Sequence, residues 1–278
     1  MLGQHPDLAG LPELKLFSYP TIGELEASLP NFWIARGVTH RSPGLVRALA
    51  EYIFGNQQFE SLNLARVWLR ERSHWAGADV LDVLMDRVRP RRFVEKSPEN
   101  VETDTALKRL AAAYPRARYL HLTRHPLSTQ RSIQEHFNRI LPGYGQEGQP
   151  MSGVAPWFAA HRRILGFAND LSSERYMRVR AEDVLNEMPH WLKAIAGWLG
   201  LRTDACAIEA IMHPEASPFA GFGLEESGVA GGNDPAFLRD PIPHSVEMPR
   251  TMEMPADWSD EPSAWRMVAD LANYLGYR

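Results

Sequence analysis

From Pro43 to about Met85 the apolar residues fall at helical spacing: Leu45, Leu49 and Ile53, then Leu62, Leu64 and Trp68, then Leu81 and Leu84. That pattern predicts two or three helices. Beyond them the period changes. Phe93 and Val94 form a short apolar run that stops at Lys96, with Ser97-Pro98 as the turn. "VETDTALKRLAAAY" returns to the helical period until Pro115 stops it, and "ARYLHLTR" reads as a second strand. "PLSTQRSIQEHFNRI" follows as a helix with Pro126 in its first turn, where proline is tolerated. After Pro156 come the helix "WFAAHRRILGFANDL", the strand "RYMRVRAED" and the helix "MPHWLKAIAGWLGL", which Gly200 closes. Strand alternating with helix predicts an α/β fold, a mostly parallel sheet flanked by helices.

Two stretches break the pattern. The first forty residues are irregular, punctuated by Pro6, Pro12, Pro20 and Pro30, so long helices are not expected there. Residues 212–243 are rich in Gly and Pro, with five glycines between Gly221 and Gly232, and read as a long loop or lid. The chain has 278 residues, 44% hydrophobic and 23% charged. No composition break divides it, so a single domain over 1–278 is expected.

Charge and cysteine usage narrow the partners. A net charge of −4 argues against a nucleic-acid binder while leaving room for a local basic pocket. The single cysteine, Cys206, permits no internal disulfide and fits a reducing compartment, so a cytoplasmic location is expected. No apolar run approaches the ~20 residues of a membrane span. "MLGQHPDLAG" lacks the basic head and apolar core of a signal peptide. No His/Cys/Asp/Glu spacing suggests a metal site.

The two predicted strand ends carry the candidate chemistry, Lys96 at one and Arg124 at the other. In parallel α/β sheets ligands bind at the carboxyl ends of strands, where free amides and helix dipoles favour anions. A forked guanidinium suits a phosphate, and an ammonium acts as a point charge. Ser132, eight residues after Arg124, lies two turns into the following helix and can reach the same anion. The alternative is that Lys96 and Arg124 are surface charges and Ser132 fills a helix.

"EKSPENV", "YPRARYLHLTRHPLSTQRSI" and "RYMRVRAEDVLNEMPHWLKAIAGWLGL", in that order, resemble the sulfotransferases that use 3′-phosphoadenosine 5′-phosphosulfate. "GQHPDLAGLPELKLF" is similar to the segment just downstream of that family's phosphosulfate-binding loop. "GGNDPAFLRD" is similar to a late loop of bacterial members, including domains that act on carrier-bound hydroxyacyl chains. The resemblance runs from about Gly3 to Asp240. It implies a P-loop-type nucleotide-binding fold, with Arg124 and Ser132 holding the donor's 3′-phosphate. It also implies that Lys96 steadies charge near the leaving bridging oxygen. Where aryl and steroid members have a histidine base close after that lysine, this chain has Pro98. In the tyrosylprotein branch the base is a glutamate in the segment matching "GLPELKLF", where Glu13 stands. A solvated helix-start or surface carboxylate is the other reading of Glu13. The acceptor implied is a small-molecule or carrier-bound hydroxyl, with neither nucleic acid nor membrane as partner.

The departures from the family matter. Many members carry Tyr-Glu-Asp after the fourth strand, and here Ala181 precedes Glu182 and Asp183. The family opens with a strand and a "PRSGTT"-like loop, and neither is present here. A displaced start or a truncation is expected, with that strand and turn encoded upstream of Met1. The rival readings are a degenerate relative that binds nucleotide or a partner without catalysis, and a kinase, which the absence of G-x-x-x-x-G-K-[ST] disfavours. His121 reads as a satisfied core residue. His136 and His161 sit on helices, where structural or exposed roles compete with a place in the acceptor pocket, and Trp157, Trp191 and Trp198 read as core.

Overall fold

The computed structural model describes residues 1–34, 39–140, 154–249, 251–254 and 262–277. A 3₁₀ turn at Leu2–Gln4 leads into β1 (Leu8–Gly10). Then come α1 (Ile22–Ala27), α2 (Asn31–Ile34), α3 (Pro43–Phe54), α4 (Phe59–Glu71), α5 (Gly77–Val88) and β2 (Arg92–Val94). A 3₁₀ turn at Pro98–Val101 precedes α6 (Asp104–Ala113), β3 (Tyr119–Thr123) and α7 (Pro126–Ile140). The remaining elements are α8 (Val154–Ala168), β4 (Tyr176–Arg180), α9 (Ala181–Asn186), α10 (Met188–Trp198), α11 (Ala205–Ile211), α12 (Pro235–Arg239) and α13 (Pro262–Leu275).

The chain divides into two compact units, Met1–Pro115 with Met188–Pro243, and Arg116–Glu187 with His244–Arg278. In the first, β1 and β2 pair in parallel, Leu8 opposite Arg92 and Gly10 opposite Val94. Its core joins Leu14, Phe17 and Ile22 to Leu45, Leu49, Leu62, Leu84 and Phe219. Local sequence explains the helix that matters most here. Ser42 accepts from the Leu45 amide, Pro43 opens α3, and Gly55 closes it at a φ of 87°. In the second unit β3 and β4 pair in parallel, Tyr119 opposite Tyr176 and Thr123 opposite Arg180. There Val154 and Trp157 of α8 pack with Trp265, Val268, Ala272 and Leu275 of α13 and with Tyr277.

Both strand pairs are parallel, as the alternation of elements predicts, and three helices occupy the stretch from Pro43 to Val88. Three findings differ from the sequence pattern. β1 lies in the segment expected to be irregular, because three residues with a partner more than eighty positions away leave no local period. "RYMRVRAED" is strand only to Arg180, whose guanidinium turns onto Asp183 at 2.7 Å, and Glu182 and Asp183 then sit in the first turn of α9, where acidic side chains suit the helix dipole. Residues 212–243 hold two 3₁₀ turns and α12, with Phe219, Val229 and Leu238 buried, so the segment is packed rather than open.

Candidate active site

Side chains alternate across an extended strand end, and the corner after β2 uses that period. Glu95 and Ser97 take one side, Glu99 joins them from the 3₁₀ turn that follows, and the chain at residues 14 and 15 lies against them. The Leu14 amide donates to Glu95 Oε1 at 3.4 Å, and the Lys15 amide donates to Ser97 Oγ at 2.9 Å. The Lys15 ammonium pairs with Glu99 Oε1 at 2.6 Å. Lys96 instead donates through Nζ to Glu13 Oε1. Lys15 adopts a φ of 60°, in the left-handed region that L side chains rarely enter. Such backbone costs on the order of 1–3 kcal/mol and persists where neighbours over-determine it, as Ser97 and Glu99 do here.

Glu95 is the hub of this corner. Ser97 Oγ donates to its Oε1 and Asn100 Nδ2 to its Oε2 at 2.8 Å. Burial pushes its carboxyl up, against hydrogen bonds from Ser97, Leu14 and Asn100 and the charge of Lys96.

Glu13 is held from its other side by backbone. Its amide donates to the Gly232 carbonyl at 2.7 Å, and its carbonyl accepts from Ser42 Oγ at 3.0 Å. The close approach needs glycine. A Cβ on Gly44 would lie 2.4 Å from the Glu13 carbonyl oxygen, and one on Gly232 would lie 2.5 Å from the Gly44 Cα. The Glu13 side chain is 16% exposed and that of Lys96 61%, so the carboxylate is sheltered and the ammonium faces water.

The corner after β3, in the second unit, is built from buried hydrogen bonds. Arg124 is exposed, and among the described residues its guanidinium has neither a hydrogen bond nor an ion pair. Its carbonyl accepts from Trp157 Nε1 at 2.8 Å. The next amide, of His125, donates to Glu182 Oε1 at 2.7 Å, and Tyr277 Oη donates to Glu182 Oε2 at 3.1 Å. Thr123 Oγ1 lies 2.9 Å from Tyr277 Oη. His125 Nδ1 accepts from the Leu127 amide at 3.2 Å, satisfying a free donor in the first turn of α7. Thr123, His125, Glu182 and Tyr277 are all buried. Ser132 is half-buried on α7, and no hydrogen bond among the described residues joins it to Arg124.

The structure therefore brings Glu13 and Lys96 into contact and leaves Arg124 and Ser132 on one corner without a bond between them. Glu13 and Lys96 belong to the first unit, Arg124 and Ser132 to the second. The histidines divide as well. His121 Nδ1 lies 2.6 Å from Tyr176 Oη, and its Nε2 lies 2.7 Å from His161 Nδ1. Burial holds His121 down at about 3, helped by His161 and Arg178, and holds His161 down at about 4. Both are buried and neutral near pH 7. The side chain of His136 lies outside the described residues.

Glu95, Asn100, Gly44, Gly232 and Glu182 support the candidate residues, and sequence reasoning gives none of them a role. The signal for Glu95 is the alternation just past β2, which places residues 95 and 97 on one side. Among the described residues no group of His, Cys, Asp and Glu is arranged to hold a metal ion, and no helix is long and apolar enough to cross a membrane.

A model of the sulfotransferase family matches residues 1–205. The sulfotransferase domain from the curacin biosynthetic pathway is 21% identical, covers 100% of this chain and 91% of its own, and superposes with a TM-score of 0.74. The sulfotransferase domain from the Synechococcus PCC 7002 olefin synthase is 23% identical, with coverage of 100% and 88% and a TM-score of 0.65. At these identities the two structures bear on the fold alone. Comparison with curated proteins gives no match.

Proposed function

This chain belongs to the sulfotransferase family, and from that premise we propose that it moves a sulfuryl group from 3′-phosphoadenosine 5′-phosphosulfate to an acceptor hydroxyl. The observation that carries the reading is the contact of Glu13 with Lys96 at the end of β2. Glu13 is the general base and takes the acceptor's hydroxyl proton. Lys96, released from Glu13, steadies the bridging oxygen as the acceptor oxygen–sulfur bond forms and the sulfur–bridging oxygen bond breaks, 3′,5′-adenosine bisphosphate leaving. Arg124 and Ser132 hold the 3′-phosphate. A guanidinium with no partner among the described residues, beside the first turn of the fifteen-residue α7, fits an anion there. Catalysis is then positioning and charge stabilisation along an in-line path, by analogy with phosphoryl transfer. The acceptor class is a small-molecule or carrier-bound hydroxyl, and the proposed location is the cytoplasm.

The test incubates the chain with donor labelled in its sulfuryl group and a 3-hydroxyacyl pantetheine thioester, alongside simple alcohols and phenols. Label transferred by the unchanged chain and lost in Glu13→Gln supports the reading. Tighter calorimetric binding of ATP than of 3′,5′-adenosine bisphosphate overturns it in favour of a kinase. A second reading, a relative that binds without catalysis, is favoured by Ala181, which opens α9 and offers no ring where many members have a tyrosine. Bisphosphate binding with no transfer to any acceptor selects it.

A further inference from the structure

We propose that Glu95 is a positioning residue that aims Glu13, an inference that rests on the catalytic role proposed for Glu13. One carboxylate organises both walls of the corner. Its Oε1 receives the Leu14 amide, the first backbone donor after Glu13, and also the hydroxyl of Ser97. Ser97 in turn receives the Lys15 amide at 2.9 Å. Two successive amides following Glu13 are thus tied to Glu95, one directly and one through Ser97. The Glu13 amide and carbonyl are fixed from the opposite side by Gly232 and Ser42. What is left to Glu13 is its own side chain, and Lys96, adjacent to Glu95 in the chain, receives it.

A carboxylate is an expensive way to build such a post, because burial disfavours its charge. Its use follows from the donors. Three N–H or O–H groups, from Leu14, Ser97 and Asn100, point at two oxygens, which an acceptor-only side chain satisfies. Glutamine at 95 keeps Oε1 for Leu14 and Ser97 but places an NH₂ opposite the Asn100 NH₂. The buried Asn100 Oδ1 has no hydrogen-bond partner, so turning over the Asn100 amide presents that oxygen to the new NH₂ and removes the conflict. Position, rather than charge, is therefore what Glu95 supplies, and the two substitutions Glu95→Gln and Glu95→Ala separate the two roles.

The experiment uses the full chain, labelled donor and the 3-hydroxyacyl pantetheine thioester, with amide hydrogen exchange at Leu14 and Lys15 as a readout that needs no acceptor. Glu95→Ala is expected to lower kcat by about 10- to 100-fold with the donor KM unchanged, the scale of a misplaced catalytic group. It should also speed exchange at both amides. Glu95→Gln should restore both readouts. On a Glu13→Gln background, Glu95→Ala should cost nothing further, because it acts through Glu13. If Glu95→Ala does not fold, Ser97→Ala carries the same test through the Lys15 amide. A kcat equal to that of the unchanged chain, or losses that multiply in the double variant, overturns the inference. If Glu13→Gln itself keeps full turnover, the role of Glu13 fails instead. Exchange then decides the clamp by itself: unchanged rates at Leu14 in Glu95→Ala overturn it, and faster rates that Glu95→Gln reverses uphold it.

Discussion

The two strand-end corners solve the same problem by opposite means. After β2, two ion pairs, Lys15 with Glu99 and Lys96 with Glu13, flank the hydrogen-bonded Glu95, and the Lys96 ammonium is open to water. After β3, the exposed Arg124 stands on a buried frame of hydroxyl, amide and carboxylate groups, Thr123, His125, Glu182 and Tyr277. Exposed ion pairs are worth about 0–1 kcal/mol, whereas a buried polar group left unsatisfied costs about 1–3 kcal/mol. With its Lys96 ammonium open to water, the first corner can part the Glu13–Lys96 pair when a substrate arrives. The second presents a charge from a base that does not yield. An ion pair that must open suits proton transfer, and a rigid mount suits anchoring an anion.

The largest expected effect breaks the first corner. Glu13→Gln keeps the shape and removes the base, so turnover should fall about 10²–10⁴-fold with donor affinity little changed. Lys96→Ala should lower turnover and weaken donor binding as well. Neither change should move the urea midpoint appreciably, since the Lys96 ammonium is open to water and glutamine at 13 keeps an oxygen for it. Steady-state kinetics beside unfolding curves checks both. A large stability loss in Glu13→Gln would mean that the pair holds the fold and does not open.

The second corner is tested by ligand rather than by turnover. Arg124→Ala should weaken 3′,5′-adenosine bisphosphate by about 1.5–3 kcal/mol, the range for a hydrogen bond to a charged group. The loss for 5′-AMP, which lacks the 3′-phosphate, should be much smaller. Calorimetry with both ligands decides, and equal losses would remove Arg124 from the 3′-phosphate.

These corners also show what was legible before the structure. Strong local period made β3 and helices α3 to α8 visible, and strand ends on Lys96 and Arg124 marked where chemistry belongs. Glu13 is different. Neither period nor spacing picks it from the 34 acidic residues, and only family resemblance in "GLPELKLF" raised it. Its contacts explain why: they come from Gly232, Ser42 and Lys96, all more than twenty-five residues away in the chain. β1 was hidden for the same reason, its pairing with β2 being entirely long-range. Glu182 stood within a family motif, yet its work, receiving the His125 amide and the Tyr277 hydroxyl, requires the register of β3 and β4. α13 carries a helical apolar stripe in Trp265, Val268, Ala272 and Leu275, a local period that the sequence alone shows.

The smallest expected effect separates the two units by pH. In the second unit, His121 and His161 are held neutral, at about 3 and about 4 against an ordinary 6.5, chiefly by burial. In the window between those values and 6.5 the unfolded state binds more protons, so stability is full above 6.5 and falls as pH drops through it. At pH 6.5 the loss is about 0.4 kcal/mol for each histidine treated alone, and it grows as the pH falls further. Glu95 of the first unit works in the opposite sense. Its folded carboxyl is raised above the ordinary 4.5 by burial, so its contribution is fully present in acid and is lost as pH rises through the folded value. Acidification therefore penalises the second unit through its histidines and favours the first through Glu95. Urea unfolding at pH 8 and 6.5, with pulse-labelled amides of β3 and β4 as the probe, should show the midpoint of the second unit falling at the lower pH. Replacing His161 with phenylalanine should flatten that dependence by removing one titrating group. An unchanged slope in that variant would mean that the pair takes up its proton elsewhere, and that burial of these two rings is not what sets the acid limit of the second unit.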